Sequence, residues 1–128
     1  MVRFRHGDLF EDGSEAIVNT VNCVGVMGKG VALQFKRRFP GNYKAYRAAC
    51  ARGEVRTGRM FVFDNGWLSC PKWIINFPTK RDWRENSDID YIASGLDDLD
   101  IGRLRDSARS PFPCRRWDAA LDGWTGGR

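Results

Sequence analysis

Two asparagines, a cysteine, three glycines and a lysine fall within residues 19–30, in the run NTVNCVGVMGKGVALQF. A β-type apolar run precedes the glycines and a helical pattern follows them. An ordinary turn needs far less. Gly28-Lys29-Gly30 stands immediately before the helix. A glycine-rich turn that feeds a helix lets backbone N–H groups approach an anion closely, and the helix N-terminus adds a partial positive charge. The lysine is not followed by Ser or Thr at P-loop spacing, and the stretch is not GxGxxG. Taken alone, it fits a glycine turn with a solvated lysine as well as it fits a phosphate site. Asn19 and Asn22 are poor strand residues at a strand's end. They either present amides to ligand hydroxyls or satisfy the backbone of the turn.

The elements that must position these residues follow from spacing. Val2–Phe4 and Ala16–Val21 read as strands bounded by GD and EDGSE turn signals. Val31–Phe39 has apolar residues at 31, 32, 35 and 39, a helical spacing that Pro40 stops. Asn42–Arg52 repeats the pattern through Tyr43, Tyr46, Ala49 and Cys50, with Gly53 as its cap. Arg59–Phe63 and Trp73–Phe77 are strand-like, and Asn65-Gly66 turns the chain between them. Ser87 is placed to cap a helix from Ile89 to Leu99, whose Ile92, Leu96 and Leu99 share a face. Strands alternate with helices, which predicts an α/β layered sheet.

The chain of 128 residues is one domain by length, with 42% hydrophobic and 29% charged residues. No apolar run is long enough to span a bilayer, and MVRFRHGDLFEDG has no signal core. The expectation is a cytoplasmic protein with no membrane association. Cys23, Cys50, Cys70 and Cys114 form no CxxC pair, and His6 is the single histidine, so reduced thiols and no metal site are expected. The net charge is +5, but six Arg and three Asp fall in residues 103–128, so the tail supplies most of the excess. That is weak electrostatic support for a nucleic-acid partner.

GDLF, AIVNTVNCVGVMGKGVALQFKRRFP, GRMFVFDN and WIINFPTKRDWR together resemble a macrodomain. The likeness runs from residue 3 to residue 100, and NCVGVMGKGVALQFK and NFPTK resemble the DarG-type DNA ADP-ribosyl glycohydrolases, antitoxin partners of DarT toxins. The resemblance implies a three-layer α/β/α fold with a mixed central sheet, and an ADP-ribose ligand rather than a cofactor. Asp8 would accept the adenine amino group, with Leu9 beside it. Asn19, Asn22, Cys23 and Val24 would lie along the ligand, Asn22 facing the distal ribose as a catalytic residue. Gly25, Val26, Met27, Gly28, Lys29 and Gly30 would wrap ribose and diphosphate, and Thr79 would complete the lining. Lys80 is the residue expected to carry chemistry. At a strand end in a cleft it could stabilise developing negative charge, donate to a ribose hydroxyl, or act as a nucleophile. The alternative is an exposed lysine beside Arg81. No close pair of carboxylates suggests a two-carboxylate glycosidase mechanism.

Arg81, Trp83 and Arg84 form an aromatic flanked by arginines, able to stack on bases and pair with phosphates in single-stranded DNA. The competing reading packs Trp83 under a loop, and Asp82 stands where relatives often carry histidine. The implied function is hydrolysis of the ADP-ribose–base bond on single-stranded DNA by a monomer, with a cognate DarT-type toxin as a further partner. Alternatives are a non-catalytic module that binds ADP-ribose or a toxin, or a hydrolase acting on ADP-ribosylated protein or free ADP-ribose derivatives.

The resemblance breaks in the tail. Residues 1–106 form the macrodomain-like unit, and residues 107–128 read as aberrant, without strand period, helix period or the second phosphate loop, PPLGCGLGGL, of this subgroup. Codons for Pro113–Leu121 read two nucleotides later can encode VPPLGCGLG. Trp117-Asp118 forces a shifted glycine whatever codon is used. An out-of-frame tail that has lost the final strand and helix is therefore expected, with a divergent C-terminus as the alternative.

Overall fold

The computed structural model describes residues 3–66 and 69–99 and the backbone of residues 116–121. A 3-10 turn at Leu9–Glu11 leads into β1 (Ser14–Val21), followed by α1 (Gly30–Arg38), α2 (Pro40–Ala51), β2 (Phe61–Asp64), β3 (Trp73–Pro78), α3 (Ile89–Asp98) and β4 (Arg116–Leu121). The strand order is β2-β3-β1-β4. β1 runs parallel to β3 and to β4, and β2 runs antiparallel to β3, so the sheet is mixed.

Both central strands are buried on both faces, as their near-continuous β-branched runs require. Ile17, Val21 and Ile74 point to one side and pack with Phe35 of α1 and with Tyr46 and Ala49 of α2. Ala16, Val18, Ile75 and Phe77 point to the other side and meet Ile92 and Leu99. The result is the expected three-layer α/β/α arrangement. Ile17, Val18, Ile74 and Ile75 are each at most 1% exposed. Burial of such side chains contributes about 1.5–3 kcal/mol each.

Proline divides the first two helices. α1 ends at Arg38 because Pro40 pushes Phe39 out of helical geometry, to φ −128° and ψ 69°. Pro40 then opens α2 in its first turn, where the missing N–H has no partner to lose. The chain therefore turns into a second helix at the residue expected only to stop the first.

Three expectations change. Arg3 and Phe4 are not in a strand, and Phe4 is 72% exposed; Val2 lies outside the described residues. A three-residue β-favouring run makes no strand without a ladder partner. Asp88, not Ser87, caps α3, its Oδ1 accepting from the Asp90 N–H at 2.8 Å. The Ser87 hydroxyl donates to Thr79 Oγ1 instead, at 3.3 Å. Within the tail read as lacking any strand, Arg116–Leu121 forms β4 alongside β1. Its sequence, RWDAAL, has no alternation to detect, and the ladder offered by β1 decides its conformation. The rest of the tail assignment concerns residues outside those described.

Val21 pairs with Pro78 at the C-terminal ends of β1 and β3. The segments that follow, 22–30 and 79–81, therefore leave the sheet from neighbouring points. Crevices for ligands in parallel sheets form at such ends. Among the described residues no helix is long and apolar enough to cross a membrane.

Candidate ligand-binding site

The loop from Asn22 to Gly30 is held from two directions. On one side it is stitched to the segment after β3. The Cys23 N–H donates to the Arg81 carbonyl at 2.9 Å, and the Thr79 N–H donates to the Val21 carbonyl at 3.1 Å. The Cys23 thiol lies 3.6 Å from the Lys80 carbonyl. Lys80, half-buried, thus sits beside the glycine loop despite a separation of more than fifty residues. Among the described residues its ammonium has no hydrogen-bond or ion-pair partner.

On the other side the loop is shaped by Asn22. Its Oδ1 accepts from the Val24 N–H at 3.1 Å and the Val26 N–H at 3.3 Å, while its Nδ2 donates to the Val26 carbonyl at 2.9 Å. The side chain is 5% exposed. Satisfaction of the turn, one of the two readings of this residue, describes its contacts here. Tyr46 of α2 completes the arrangement, its hydroxyl 2.8 Å from both the Asn22 carbonyl and Oδ1.

The loop's conformation needs glycine at two points. Gly25 has φ +88° and Gly30 has φ +62°, values that side chains with a Cβ rarely adopt. Gly28, Lys29 and Gly30 are exposed, as are Val24 and Val26, whereas Gly25 and Met27 are buried and anchor the loop. Lys29 precedes α1 in an extended conformation, φ −156° and ψ 170°, and no side chain caps the helix. The first N–H groups of α1 therefore face outward with the positive end of the helix dipole behind them, an arrangement suited to an anion.

Beneath the loop lies a buried amide cluster that spacing alone does not reveal. Asn19 and Asn76 are register partners on β1 and β3, both fully buried, and Asn19 Nδ2 lies 3.4 Å from Asn76 Oδ1. Asn76 Nδ2 donates to Asn42 Oδ1 at 2.8 Å and to the Phe61 carbonyl at 3.2 Å. Asn19 Nδ2 also lies 3.8 Å from the Met27 sulfur, and its Oδ1 has no hydrogen-bond partner among the described residues. Asn19 is therefore part of the support under the loop. Asn42, Asn76 and Tyr46 were not singled out from the sequence, because their partners are 24 to 57 residues away.

The remaining positions divide by location. Asp8 caps the Leu9–Glu11 turn by accepting from the Phe10 N–H at 2.9 Å, and lies 4.0 Å from an Arg38 nitrogen. Leu9 is a core residue. Thr79 is buried, its carbonyl accepting from the Asp88 N–H at 3.3 Å. Trp83 is 47% exposed with the Arg84 guanidinium 4.8 Å over its ring, so it does not pack under a loop. Arg81 lies over Tyr91 at 5.6 Å.

Burial shapes the thiol chemistry. Cys23 is held above the ordinary thiol range, chiefly by desolvation, and desolvation pushes Cys50 up to about 11. Both are free thiols, poor in thiolate at neutral pH. Cys70 is disulfide-bonded, which corrects the expectation that all four thiols are reduced. The spacing test behind that expectation detects local pairs only, whereas a disulfide requires only proximity in space.

Residues 18–103 match the Macro domain family, a span covering the loop, the amide cluster and Lys80. The chain belongs to the macrodomain family. Over 99 residues it is 61% identical to the DNA ADP-ribosyl glycohydrolase of Thermus aquaticus, a match that takes in 77% of this chain and 28% of that protein. The chain therefore spans little more than a quarter of that curated relative. The solved macrodomain of Thermus aquaticus DarG superposes with a TM-score of 0.83 at 51% identity, covering 100% of this chain and 80% of that one. Thermosipho africanus DarTG, solved in complex with ADP-ribose, superposes at 0.70 with 30% identity, covering 90% and 31%.

Proposed function

We propose that this macrodomain binds ADP-ribose and hydrolyses the bond between ADP-ribose and a base of single-stranded DNA, reversing the modification made by a DarT-type toxin. The observation that carries the reading is the placement of Lys80 against the glycine loop, through the Cys23 to Arg81 backbone bond and the Cys23 thiol contact. The similarity to a DNA ADP-ribosyl glycohydrolase and to a DarTG structure holding ADP-ribose supports the choice of ligand and substrate.

In this reading the outward N–H groups at the start of α1 receive the diphosphate, and the backbone from Gly25 to Gly30 follows ribose and phosphate at close range. The exposed Asp8 carboxylate meets the adenine amino group. Lys80 stands at the distal ribose and acts on C1″, the carbon whose bond to the base breaks. Water supplies OH to that carbon and H to the base, giving ADP-ribose and unmodified DNA. Positioning carries much of the rate, since no carboxylate pair is involved. Trp83 stacks on a base next to the modified one, and Arg81 and Arg84 neutralise phosphates. The protein acts in the cytoplasm, as a monomer, beside its toxin.

The test is incubation with a single-stranded oligonucleotide carrying ADP-ribose on a base, set beside an ADP-ribosylated protein and free ADP-ribose. Release of ADP-ribose from the oligonucleotide is expected. Binding without release would identify a non-catalytic ADP-ribose module, and release from the protein alone would identify a protein-directed hydrolase.

A further inference from the structure

Helix α2 carries two polar side chains one turn apart, Asn42 and Tyr46, in an otherwise apolar inward face. Asn42 reaches the amide cluster under the loop, and Tyr46 reaches the loop itself. Tyr46 is fully buried, and its hydroxyl lies 2.8 Å from two oxygens of one residue, the carbonyl and Oδ1 of Asn22. The same Oδ1 accepts the Val24 and Val26 N–H groups. A single hydroxyl therefore donates into the group that fixes the turn from Asn22 to Val26.

From this geometry we infer that Tyr46 is a positioning residue for the ligand loop, acting through Asn22 and without contact to ligand. This rests on the reading of the loop as the ADP-ribose site. The physical argument is rotational. An asparagine side chain in a turn can exchange its amide oxygen and nitrogen by a half-rotation about its last torsion, and an exchanged amide would face the two valine N–H groups with another donor. The Val24 and Val26 N–H groups select the orientation with Oδ1 inward, and the Tyr46 hydroxyl, within reach of both Oδ1 and the Asn22 carbonyl, ties that orientation to α2, which restricts the turn to one conformation. Cys50, one helical turn beyond Tyr46, packs against the same place: its Cβ lies 3.6 Å from where a Cβ on Gly25 would be. Burial and the neighbouring Cys50 raise the phenol far above its ordinary value, so the hydroxyl keeps its proton at every physiological pH.

The experiment compares the wild-type chain with Tyr46→Phe, Asn22→Ala and the double variant. Amide hydrogen exchange at Val24 and Val26, measured without ligand, reads the turn; calorimetry with ADP-ribose reads the site; the melting temperature reads the fold. Tyr46→Phe is expected to speed exchange at both valines and to weaken ADP-ribose binding about tenfold, the equivalent of one lost neutral hydrogen bond. In the Asn22→Ala background, Tyr46→Phe should add little, because its effect passes through Asn22. A purely structural hydroxyl would instead lower the melting temperature equally in both backgrounds and leave valine exchange unchanged, which would overturn the inference. Faster exchange with unchanged affinity would overturn it too. If the wild-type chain fails to bind ADP-ribose while Tyr46→Phe still speeds valine exchange, the proposed function falls and the clamp on the turn stands. Should Asn22→Ala not fold, Asn22→Leu keeps the side-chain volume, removes Oδ1 and tests the same coupling.

Discussion

The backbone N–H of Cys23 donates to the carbonyl of Arg81 at 2.9 Å, across the gap between the loop after β1 and the segment after β3. That bond continues the pairing of the parallel strands past their ends, and it places Lys80 within one residue of the loop that shapes the ligand site. On the proposed function, the parts that bind phosphate and act on the ribose are therefore carried by two neighbouring strands of the rigid sheet, which suits chemistry that depends on position.

Gly30 has φ +62° and open space where a Cβ would lie, so a side chain there strains the backbone and stands between the loop and its ligand without disturbing the core. Gly30→Val, or Gly28→Val at the exposed neighbouring position, should weaken ADP-ribose binding by at least about tenfold, the effect of roughly 1.4 kcal/mol. Far-ultraviolet circular dichroism should be unchanged. Titration calorimetry giving wild-type affinity in a folded variant would refute this.

Gly95 behaves in the opposite way. A Cβ there would lie 2.6 Å from Phe77 and 2.8 Å from the Met60 side chain, because α3 approaches β3 closely at this point. Gly95→Ala should destabilise the domain by about 1–3 kcal/mol despite alanine's better helix propensity. The loss should appear in the denaturant midpoint, with ADP-ribose affinity retained below the transition.

Lys72 is buried and its ammonium lies 2.6 Å from Asp64 Oδ1 and 4.6 Å over the Trp73 ring. The hydrogen bond from Lys72 holds the Asp64 carboxyl below the usual aspartate value. A depressed folded pKa means that the unfolded chain takes up the proton first as pH falls. The contribution of Asp64 is thus full above the unfolded aspartate pKa and is lost as pH drops through the folded one. Asp64→Asn should cost about 1 kcal/mol at neutral pH, modest because the Asp64 side chain is 56% exposed. The difference from wild type should shrink in melts below roughly pH 4. A difference constant across that range would show the pair to be irrelevant.

Much of this architecture is legible in the sequence because it rests on period and punctuation. β1, β3 and the first two helices are found within two residues of their expected ends, since long apolar runs and Pro40 constrain them locally. The glycine loop is legible for the same reason: strand, glycines and helix are contiguous. What spacing does not reveal depends on contacts between distant parts of the chain. Asn76 is an isolated amide in WIINFP until Asn19 and Asn42 stand beside it, and Tyr46 is an ordinary inward helix residue until Asn22 is found 2.8 Å away. β4 is illegible because RWDAAL owes its conformation to the edge of β1. The reading-frame argument falls partly on Arg116–Leu121, which forms β4, and otherwise on residues outside those described; sequencing the gene in both frames would test it.

The most direct measurement of the account is single-turnover release of ADP-ribose from a modified single-stranded oligonucleotide by the wild-type chain and by Lys80→Ala, each paired with its affinity for free ADP-ribose. On the proposed function Lys80 acts at C1″ and the loop binds the rest of the ligand, so the rate should fall by roughly a hundredfold or more while affinity changes only a few-fold. Equal losses of rate and affinity, or turnover by Lys80→Ala at the wild-type rate, would contradict the assignment of the chemistry to Lys80.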